Sequence, residues 1–265
     1  MAVKKIQDVV LIGAGNLAVH LGLALNRQGF GLVQVCNRTR EKGIQLARKV
    51  GAEFIADPRN ITRHADLYML VVADDAISEV ALSLPLRQQL VVHTSGTMDM
   101  KVLSKVSGNF GVFYPLQTFS PRRRINFKKV PVCIEANSPQ GMALLSEMAR
   151  SLSEDVRVVD SDHRKIIHLA AVFASNFTNF MYVIAEELLD EHQIPFDLLK
   201  SLISQTVQNI RRNDLFQCQT GPAIRGDSAV LDNHRALLSS HPGYLELYNS
   251  ISNNIIKYKA LHGKL

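Results

Sequence analysis

The sequence contains little cysteine and none of the common metal or nucleophile signatures. Its cysteines, Cys36, Cys133 and Cys218, are scattered, and no two of them form a CxxC pair. This spacing supports neither a disulfide framework nor a zinc site, and it favours a reducing, cytoplasmic setting. The HExxH, Walker P-loop and GxSxG motifs are absent as well, so we expect no bound metal.

Long apolar runs are also missing. A short run near the start of the chain is interrupted by Gly13 and Gly15, and no stretch elsewhere approaches about 18 uninterrupted apolar residues. We therefore expect neither a signal peptide nor a membrane span. Hydrophobic residues make up 46% of the chain and charged residues 20%, which is typical of a soluble globular protein.

The net charge of +6 favours acidic partners, either nucleic acid or a phosphorylated or carboxylated small molecule. The densest basic stretch lies beside Pro121 and Asn126 and consists of Arg122, Arg123, Arg124, Lys128 and Lys129. A solvated loop is one interpretation of this stretch, and contact with an acidic ligand is the other. No interleaved aromatic residues or recognition motif accompany the charges, so we expect no nucleic acid partner.

The first 160 residues alternate short apolar runs with helical stretches. The predicted strands are Asp8–Ile12, Leu32–Cys36, Leu67–Val72, Leu90–His93, Phe110–Tyr114, Val130–Glu135 and Val156–Val159. The predicted helices between them are Leu17–Gln28, Arg40–Val50, Asp75–Leu84 and Pro139–Leu152. Short, almost wholly apolar strands are typical of a parallel sheet with helices on both faces. The alternation therefore predicts a doubly wound α/β fold with a parallel sheet.

A glycine-rich turn follows the first predicted strand and opens the first predicted helix. It has the GxGxxA pattern, from Gly13 to Ala18. Gly13 permits a tight turn, Gly15 lets a pyrophosphate approach the backbone, and Ala18 allows close packing of the helix on the strand. Strand, turn, helix and second strand occur in the order of a dinucleotide-binding Rossmann domain. The predicted pyrophosphate contacts are Gly13, Gly15, Asn16 and Leu17.

The residues after the second predicted strand indicate which dinucleotide binds. Rossmann domains that prefer NAD usually place an acid here to bind the ribose 2′-hydroxyl, whereas this chain has no acid before Glu41. Arg38 can grip a 2′-phosphate through its planar guanidinium, and Asn37 and Thr39 can donate hydrogen bonds to it. The alternative is an ordinary charged turn. We predict NADP(H) as the cofactor, bound by Asn37, Arg38 and Thr39.

Further candidates follow three other strands, at the sheet edge that faces the ligand crevice in this fold. Val72 and Ala73 are predicted to lie along the cofactor. Ser95, in the sequence HTSG, could position the nicotinamide or a substrate carboxylate, or could simply belong to a polar turn. Gln117 and Thr118 are predicted substrate contacts.

The pattern changes after Asp160 to helices alone. One long helix is predicted from Asp162 to about Gln193, and further helices follow at Pro195–Arg212, Ser228–Leu238 and Gly243–Leu261. The long helix is apolar almost all round, so it has to be buried on several sides, within a helical domain or against a second subunit. We predict a Rossmann domain at residues 1–160, a helical substrate or dimerisation domain at 161–265, and a homodimer.

Polar residues in this helical part are candidates for the substrate side. His168 is a candidate general acid, because the ordinary pKa of histidine suits proton transfer near neutral pH. Asn176 is the second candidate catalytic residue, although both side chains could instead be hydrogen-bonded structural residues. Arg225 lies beside Gly226 in a predicted loop and could bind a carboxylate or phosphate of the substrate.

The segments GxGNLA, NRT, VVADDAI, HTSG, YPLQTF and TGPAIRGD, in this order, resemble one group of proteins. These are Rossmann-like proteins with a helical C-terminal domain of unassigned function, assigned to the NADP oxidoreductases. Their relatives are the deazaflavin-dependent NADP oxidoreductases, pyrroline-5-carboxylate reductase, ketopantoate reductase and the β-hydroxyacid dehydrogenases. The resemblance covers nearly the whole chain and implies the fold and the cofactor class.

The resemblance also bears on the reaction. The β-hydroxyacid dehydrogenases and ketopantoate reductase use a helical lysine and an asparagine four residues later. Asn176 matches that asparagine, but Val172 stands at the lysine position and cannot carry a proton. An imine reductase of the pyrroline-5-carboxylate type depends less on such a lysine.

The leading hypothesis is an NADP(H)-dependent oxidoreductase that transfers hydride between nicotinamide and a small carbonyl, imine or hydroxy substrate held between the two domains. The alternative hypothesis is a non-catalytic NADP(H)-binding sensor or regulatory protein. Nucleic-acid binding through the basic loop is a third, less supported hypothesis.

Overall fold

The computed structural model describes residues 5–121, 123–212, 215 and 217–262 of the chain, so Arg122 of the basic stretch lies outside the described residues. The chain divides into two compact units, Met1–Phe173 and Ala174–Leu265. The division falls within the long helix, later than the change of secondary-structure class near residue 160. The domain limits predicted from the sequence remain a prediction.

One eight-stranded sheet forms the centre of the first unit, in the order β3-β2-β1-β4-β5-β6-β7-β8. Its strands are β1 (Asp8–Ile12), β2 (Gly31–Cys36), β3 (Glu53–Ile55), β4 (Leu67–Leu70), β5 (Leu90–His93), β6 (Asn109–Pro115), β7 (Val132–Ala136) and β8 (Val156–Val158). All neighbouring strands are parallel except β6 and β7. The predicted doubly wound α/β fold is confirmed.

The helices of this unit are α1 (Asn16–Arg27), α2 (Arg40–Val50), α3 (Ile77–Ser83), α4 (Pro139–Leu152) and α5 (Ser161–Ala171). The central strand β1 shows why its sequence is an unbroken apolar run. Val9 and Leu11 point into the core cluster that contains residues of α1, α2 and α4. Val10 and Ile12 point into a second cluster on the opposite face, against α3. Side chains alternate along a strand, so a strand covered on both faces needs apolar residues at every position.

Most strand ends agree with the prediction to within two residues, and three strands show differences that have a physical reason. β3 is not predicted, since it has only three residues and begins with Glu53. β4 ends at Leu70, two residues before the predicted end. β7 runs antiparallel to β6. In its described residues, 116–121 and 123–131, the connection between them contains a short 3₁₀ turn, Phe127–Lys129, and no helical crossover of the kind that parallel strands usually need.

The second unit is helical. The chain enters it through a continuous helix, in which α5 of the first unit is followed by a π-helical segment (Val172–Phe177) and α6 (Thr178–Asp190). It is followed by α7 (Asp197–Arg212), α8 (Pro222–Arg225), α9 (Ser228–Leu237) and α10 (Pro242–His262). The predicted helices are confirmed to within a few residues. The predicted loop around Arg225 is wrong, because α8 forms one helical turn there and ends at Gly226, whose φ is +76°.

The long helix is not buried within the chain, contrary to one of the two expectations from its sequence. Ile166 is 65% exposed, Leu169 54% and Phe180 48%. By length and composition, Ser161–Asp190 is the described helix that could cross a membrane, with a mean hydropathy of 1.3 over its most apolar window. A single such helix is weak support for a membrane span. A second subunit remains the other expectation.

Candidate functional site

The glycine-rich turn depends on the missing side chain of Gly13. Its φ is +122°, and an added Cβ would lie 2.1 Å from the carbonyl oxygen of Val71. The Gly13 N–H donates to the carbonyl of Cys36 at 2.8 Å. The turn therefore lies against the ends of both neighbouring strands, β2 and β4. Its close approach and positive φ leave room for glycine alone at position 13.

The N-terminus of α1 is open to an anion. Gly15 is the N-cap, no side chain caps the helix, and its first turn contains no acid. A Cβ on Gly15 would meet nothing within 4 Å, so a ligand can reach the backbone here. Unpaired N–H groups and the helix dipole favour a phosphate group at such a terminus. A pyrophosphate fits this geometry.

The side chains of Asn16 and Leu17 have other contacts. The Asn16 amide donates to the carbonyl of Phe119 at 3.2 Å, which ties α1 to the loop after β6. Leu17 is partly buried against the core. The side chains of these two residues are therefore occupied, and only their backbone N–H groups can face a pyrophosphate.

A cavity of about 760 Å³ joins this turn to the end of β2. Asn37, Arg38, Thr39, Val72 and Ala73 line it together with residues of the glycine-rich turn. The structure therefore places two of the predicted pyrophosphate contacts, Gly13 and Gly15, in one cavity with the predicted 2′-phosphate contacts. The other two, Asn16 and Leu17, do not line this cavity.

Lys42 lines the same cavity and is absent from the sequence-based set. It lies in the first turn of α2, three residues after Thr39, and this closeness to the predicted 2′-phosphate contacts is the signal that could have indicated it. Asp57 lines the cavity too, but its carboxylate binds Arg59, with Oδ2 2.7 Å from Nη2. Hydrogen bonds from Arg59 hold the pKa of Asp57 below its ordinary value. The Asp57 carboxylate is therefore charged and paired with the Arg59 guanidinium.

Ser95 belongs to a buried turn after β5. Its Oγ accepts hydrogen bonds from the backbone N–H groups of Thr97 and Met98, both at 3.0 Å. Thr97 donates from its hydroxyl to the carboxylate of Asp74, which connects the loops after β4 and β5. The geometry favours the polar-turn interpretation of Ser95, and its contact with a cofactor stays a prediction.

Arg164 holds this turn against α5 and is fully buried. Its guanidinium donates to the carbonyls of Ser95 and Met98 and to the carboxylate of Glu135, with 2.6 Å between Nη1 and Oε2. Glu135 also accepts from the backbone and hydroxyl of Ser161 at 3.0 and 2.8 Å. This network fixes the first turns of α5 onto the sheet.

His168 lies one turn further along α5, beside the end of β6. Its Nδ1 is 3.1 Å from the hydroxyl of Tyr114, which is hydrogen-bonding distance. Gly96 lies against both rings, since a Cβ there would be 2.6 Å from His168 Nδ1 and 2.9 Å from Tyr114 Cζ. Burial raises the pKa of Tyr114, so its phenol stays protonated at neutral pH. Tyr114 is a candidate that the sequence analysis missed, although it ends a predicted strand at the ligand-facing edge.

The other predicted substrate-side residues are all exposed. Gln117 and Thr118 are exposed after β6, and the Gln117 side chain accepts from the Thr118 N–H at 2.8 Å. Asn176, in the π-helical segment, and Arg225, at the end of α8, are exposed residues of the second unit. Their roles stay predictions. In the described part of the chain, no cluster of three or more His, Cys, Asp and Glu residues could hold a metal ion.

The sheet order and the open helix terminus at the end of β1 define a dinucleotide-binding protein of the Rossmann type. Comparison with known proteins agrees: residues 3–116 match a Rossmann-like domain, and residues 130–255 match a domain of unknown function, DUF2520. No curated protein matches the chain.

Among solved structures, the chain is 42% identical to the “putative NADP oxidoreductase BF3122” of Bacteroides fragilis, with a TM-score of 0.88 over 95% of this chain and 98% of that one. The chain belongs to the family of this protein, in which a Rossmann-like domain precedes a DUF2520 domain.

More distant similarities concern the fold alone. An imine reductase from Myxococcus stipitatus, in complex with NADP⁺, is 17% identical, with a TM-score of 0.67 over 95% of this chain and 94% of that one. A pyrroline-5-carboxylate reductase from Coxiella burnetii is also 17% identical, with a TM-score of 0.60 over 96% and 97% of the two chains. The chain thus has the fold of NAD(P)-dependent oxidoreductases, as the motif resemblance implies.

Proposed function

We propose that the chain is an NADP(H)-dependent oxidoreductase that acts on a small carbonyl, imine or hydroxy compound. The observation that carries the proposal is the single cavity shared by the uncapped N-terminus of α1 and Arg38 at the end of β2. The names of BF3122 and of the imine reductase complex, which both include NADP, support the same cofactor.

Each end of the cavity has a distinct role in this proposal. The backbone N–H groups at the start of α1 bind the pyrophosphate. The 2′-phosphate is bound by Arg38, Thr39 and Lys42, whose positive charges and hydroxyl complement it. Asn37 donates from its amide to the Thr39 carbonyl at 2.7 Å, which fixes the turn that presents Arg38.

The Tyr114–His168 pair supplies the proton that reduction of a C=N or C=O bond requires. The hydride to carbon would come from NADPH held by the residues of the cavity. A proton held between Tyr114 Oη and His168 Nδ1 is then available for the nitrogen or oxygen of the substrate. The imine class is favoured within this proposal because Val172 stands where hydroxyacid enzymes have a lysine.

Titration of the purified protein with NADPH and NADH tests the cofactor. We expect tighter binding of NADPH, and selective loss of that preference in Arg38→Glu, which repels the 2′-phosphate. Arg63→Glu is a matched control, since Arg63 is exposed and does not line the cavity. Equal affinity for both nucleotides in the wild type would overturn the NADP(H) assignment.

A panel of imines and carbonyls tests turnover. Oxidation of NADPH with one substrate, lost in the double variant Tyr114→Phe/His168→Asn at unchanged NADPH affinity, supports the proposed proton donor. Tight binding without turnover of any panel member would favour the sensor hypothesis.

A further inference from the structure

A second cleft, of about 1000 Å³, runs along α1 between that helix, α2 and the loop formed by Pro121 and residues 123–128. It shares Ala14 and Lys42 with the cofactor cavity but otherwise has its own lining. The cleft includes the basic loop, which the proposed function leaves without a role.

The charges around this second cleft have one sign. Its cationic lining residues are Arg27, Lys42, Lys49, Arg123, Arg124 and Lys128. No described lining residue is an acid, whereas the cofactor cavity also contains Asp57, Asp75 and Glu79. In the described ranges, none of these cations belongs to an ion pair. Like charges around one cavity repel each other and raise the local concentration of anions.

The loop that carries part of this charge is fixed in place. His20 Nε2 lies 2.9 Å from the carbonyl of Ser120, next to the bond from Asn16 to Phe119. The Phe119 and Phe127 rings pack with centroids 5.9 Å apart. Lys128 donates from Nζ to the carbonyl of Ser151 at 3.2 Å. These contacts fix the chain at Phe119 and Ser120 before the two arginines and at Phe127 and Lys128 after them, which lowers the entropic cost of presenting Arg123 and Arg124 to a ligand.

The floor of the cleft is apolar. Leu23, Ala24 and Ile125 line it and are partly buried against the core, and Leu46 and Leu152 beneath them are buried. A ligand that fits has negative groups for the rim and an apolar part for the floor. Two rings line the cleft in the described part of the chain: Phe127 is buried, and the His20 imidazole packs on Phe119, so neither offers a platform for stacking of successive bases.

We propose that this cleft binds a small phosphorylated molecule with more than one anionic group and an apolar portion, at a site separate from the cofactor. Arg124 on the loop and Lys49 on α2 are the cations that define it, because both line this cleft and neither lines the cofactor cavity.

Calorimetric titration with inorganic tripolyphosphate tests the site, using the full chain with and without saturating NADP⁺. We expect Arg124→Glu and Lys49→Glu each to weaken tripolyphosphate binding about tenfold or more. NADPH affinity should stay unchanged in both variants. Lys105→Glu is the control, because Lys105 is exposed and outside the cleft, and it should bind tripolyphosphate like the wild type. Circular dichroism checks that each variant is folded.

The outcomes separate this proposal from the proposed function. Tripolyphosphate binding could persist in Arg124→Glu and Lys49→Glu but be lost in Arg38→Glu. That result would place the anion in the cofactor cavity and overturn the proposal of a second site. Tighter binding of a single-stranded RNA oligonucleotide than of tripolyphosphate, abolished by the same reversals, would replace the small ligand by nucleic acid. Failure of NADP⁺ to bind would contradict the proposed function alone.

Discussion

At the residue scale, Gly96 lets α5 approach the end of the sheet. Gly96→Ala would place a methyl group 2.6 Å from His168 Nδ1 and 2.9 Å from the Tyr114 ring, closer than packed atoms lie. We expect a loss of about 1–3 kcal/mol in the free energy of unfolding, as for other overpacked sites. Urea denaturation measures it. Gly243→Ala is the control, since its Cβ would meet no atom within 4 Å and should change stability little.

His93 gives a prediction about pH. It is fully buried, and this burial, with a smaller effect from the Arg164 charge, lowers its pKa from 6.5 to about 4. Protonation therefore disfavours the folded state: the contribution of neutral His93 is complete above pH 6.5 and is lost as the pH falls towards 4. We expect this loss to reach about 3 kcal/mol near pH 4.

The variant His93→Asn isolates that contribution. Its amide oxygen can accept the Ser95 N–H that now donates to His93 Nδ1 at 3.2 Å, and it does not titrate. Unfolding free energies measured from pH 7 to 4 should fall less steeply in His93→Asn than in the wild type. Parallel curves for the two proteins would contradict the assignment.

Residue spacing predicts some of these positions and not others. The GxGxxA turn is predictable because each of its residues has a local geometric role within one short segment. The Tyr114–His168 contact joins residues 54 positions apart, and no local pattern in either segment indicates the other. Polar residues at the ends of strands limit the number of candidate site residues. Which of them contact each other depends on how α5 packs against the sheet.

At the element scale, Arg164 connects α5 to β7 and to the turn after β5. Replacing it with Met would leave the buried Glu135 carboxylate without its cation. We expect Arg164→Met to lower the free energy of unfolding by about 3–5 kcal/mol. The double variant Arg164→Met/Glu135→Gln should lose less, because the uncompensated charge is gone.

The exposed ion pair of Arg157 and Asp155 is the matched control for denaturant titration of these variants. Their side chains are 68% and 41% exposed. Arg157→Met should cost at most about 1 kcal/mol, as exposed pairs do. Equal effects of Arg157→Met and Arg164→Met would contradict the anchoring role of Arg164.

The elements also show where prediction from sequence ends. Buried parallel strands are predictable because each is an apolar run followed by a helix, as β1 and β4 are. The antiparallel direction of β7 cannot be predicted from the strand's own sequence, which is equally apolar. It depends on the connection before the strand, whose described residues form a short 3₁₀ turn and no long helix. The π-helical segment cannot be predicted either, because the hydrophobic periodicity of the sequence does not distinguish it from the α-helix around it.

At the scale of the whole molecule, the apolar face of the long helix needs a partner. Ile166 and Leu169 are three residues apart, so they share one face, and each is more than half exposed in the single chain. Contiguous exposed apolar surface of this kind marks an interaction site. We propose that the chain forms a homodimer through this face.

Light scattering at micromolar concentration tests the dimer. We expect about twice the monomer mass of 29.5 kDa, and a monomer for Ile166→Glu/Leu169→Glu, because a charge buried at an interface without a counter-charge is costly. Leu82→Glu is the control: Leu82 is 64% exposed and belongs to α3, not to the long helix, and its substitution should leave the mass unchanged. A monomeric wild type would contradict the homodimer. If that monomer also bound lipid vesicles, with loss of binding in the double variant, the apolar face of Ser161–Asp190 would instead contact a membrane.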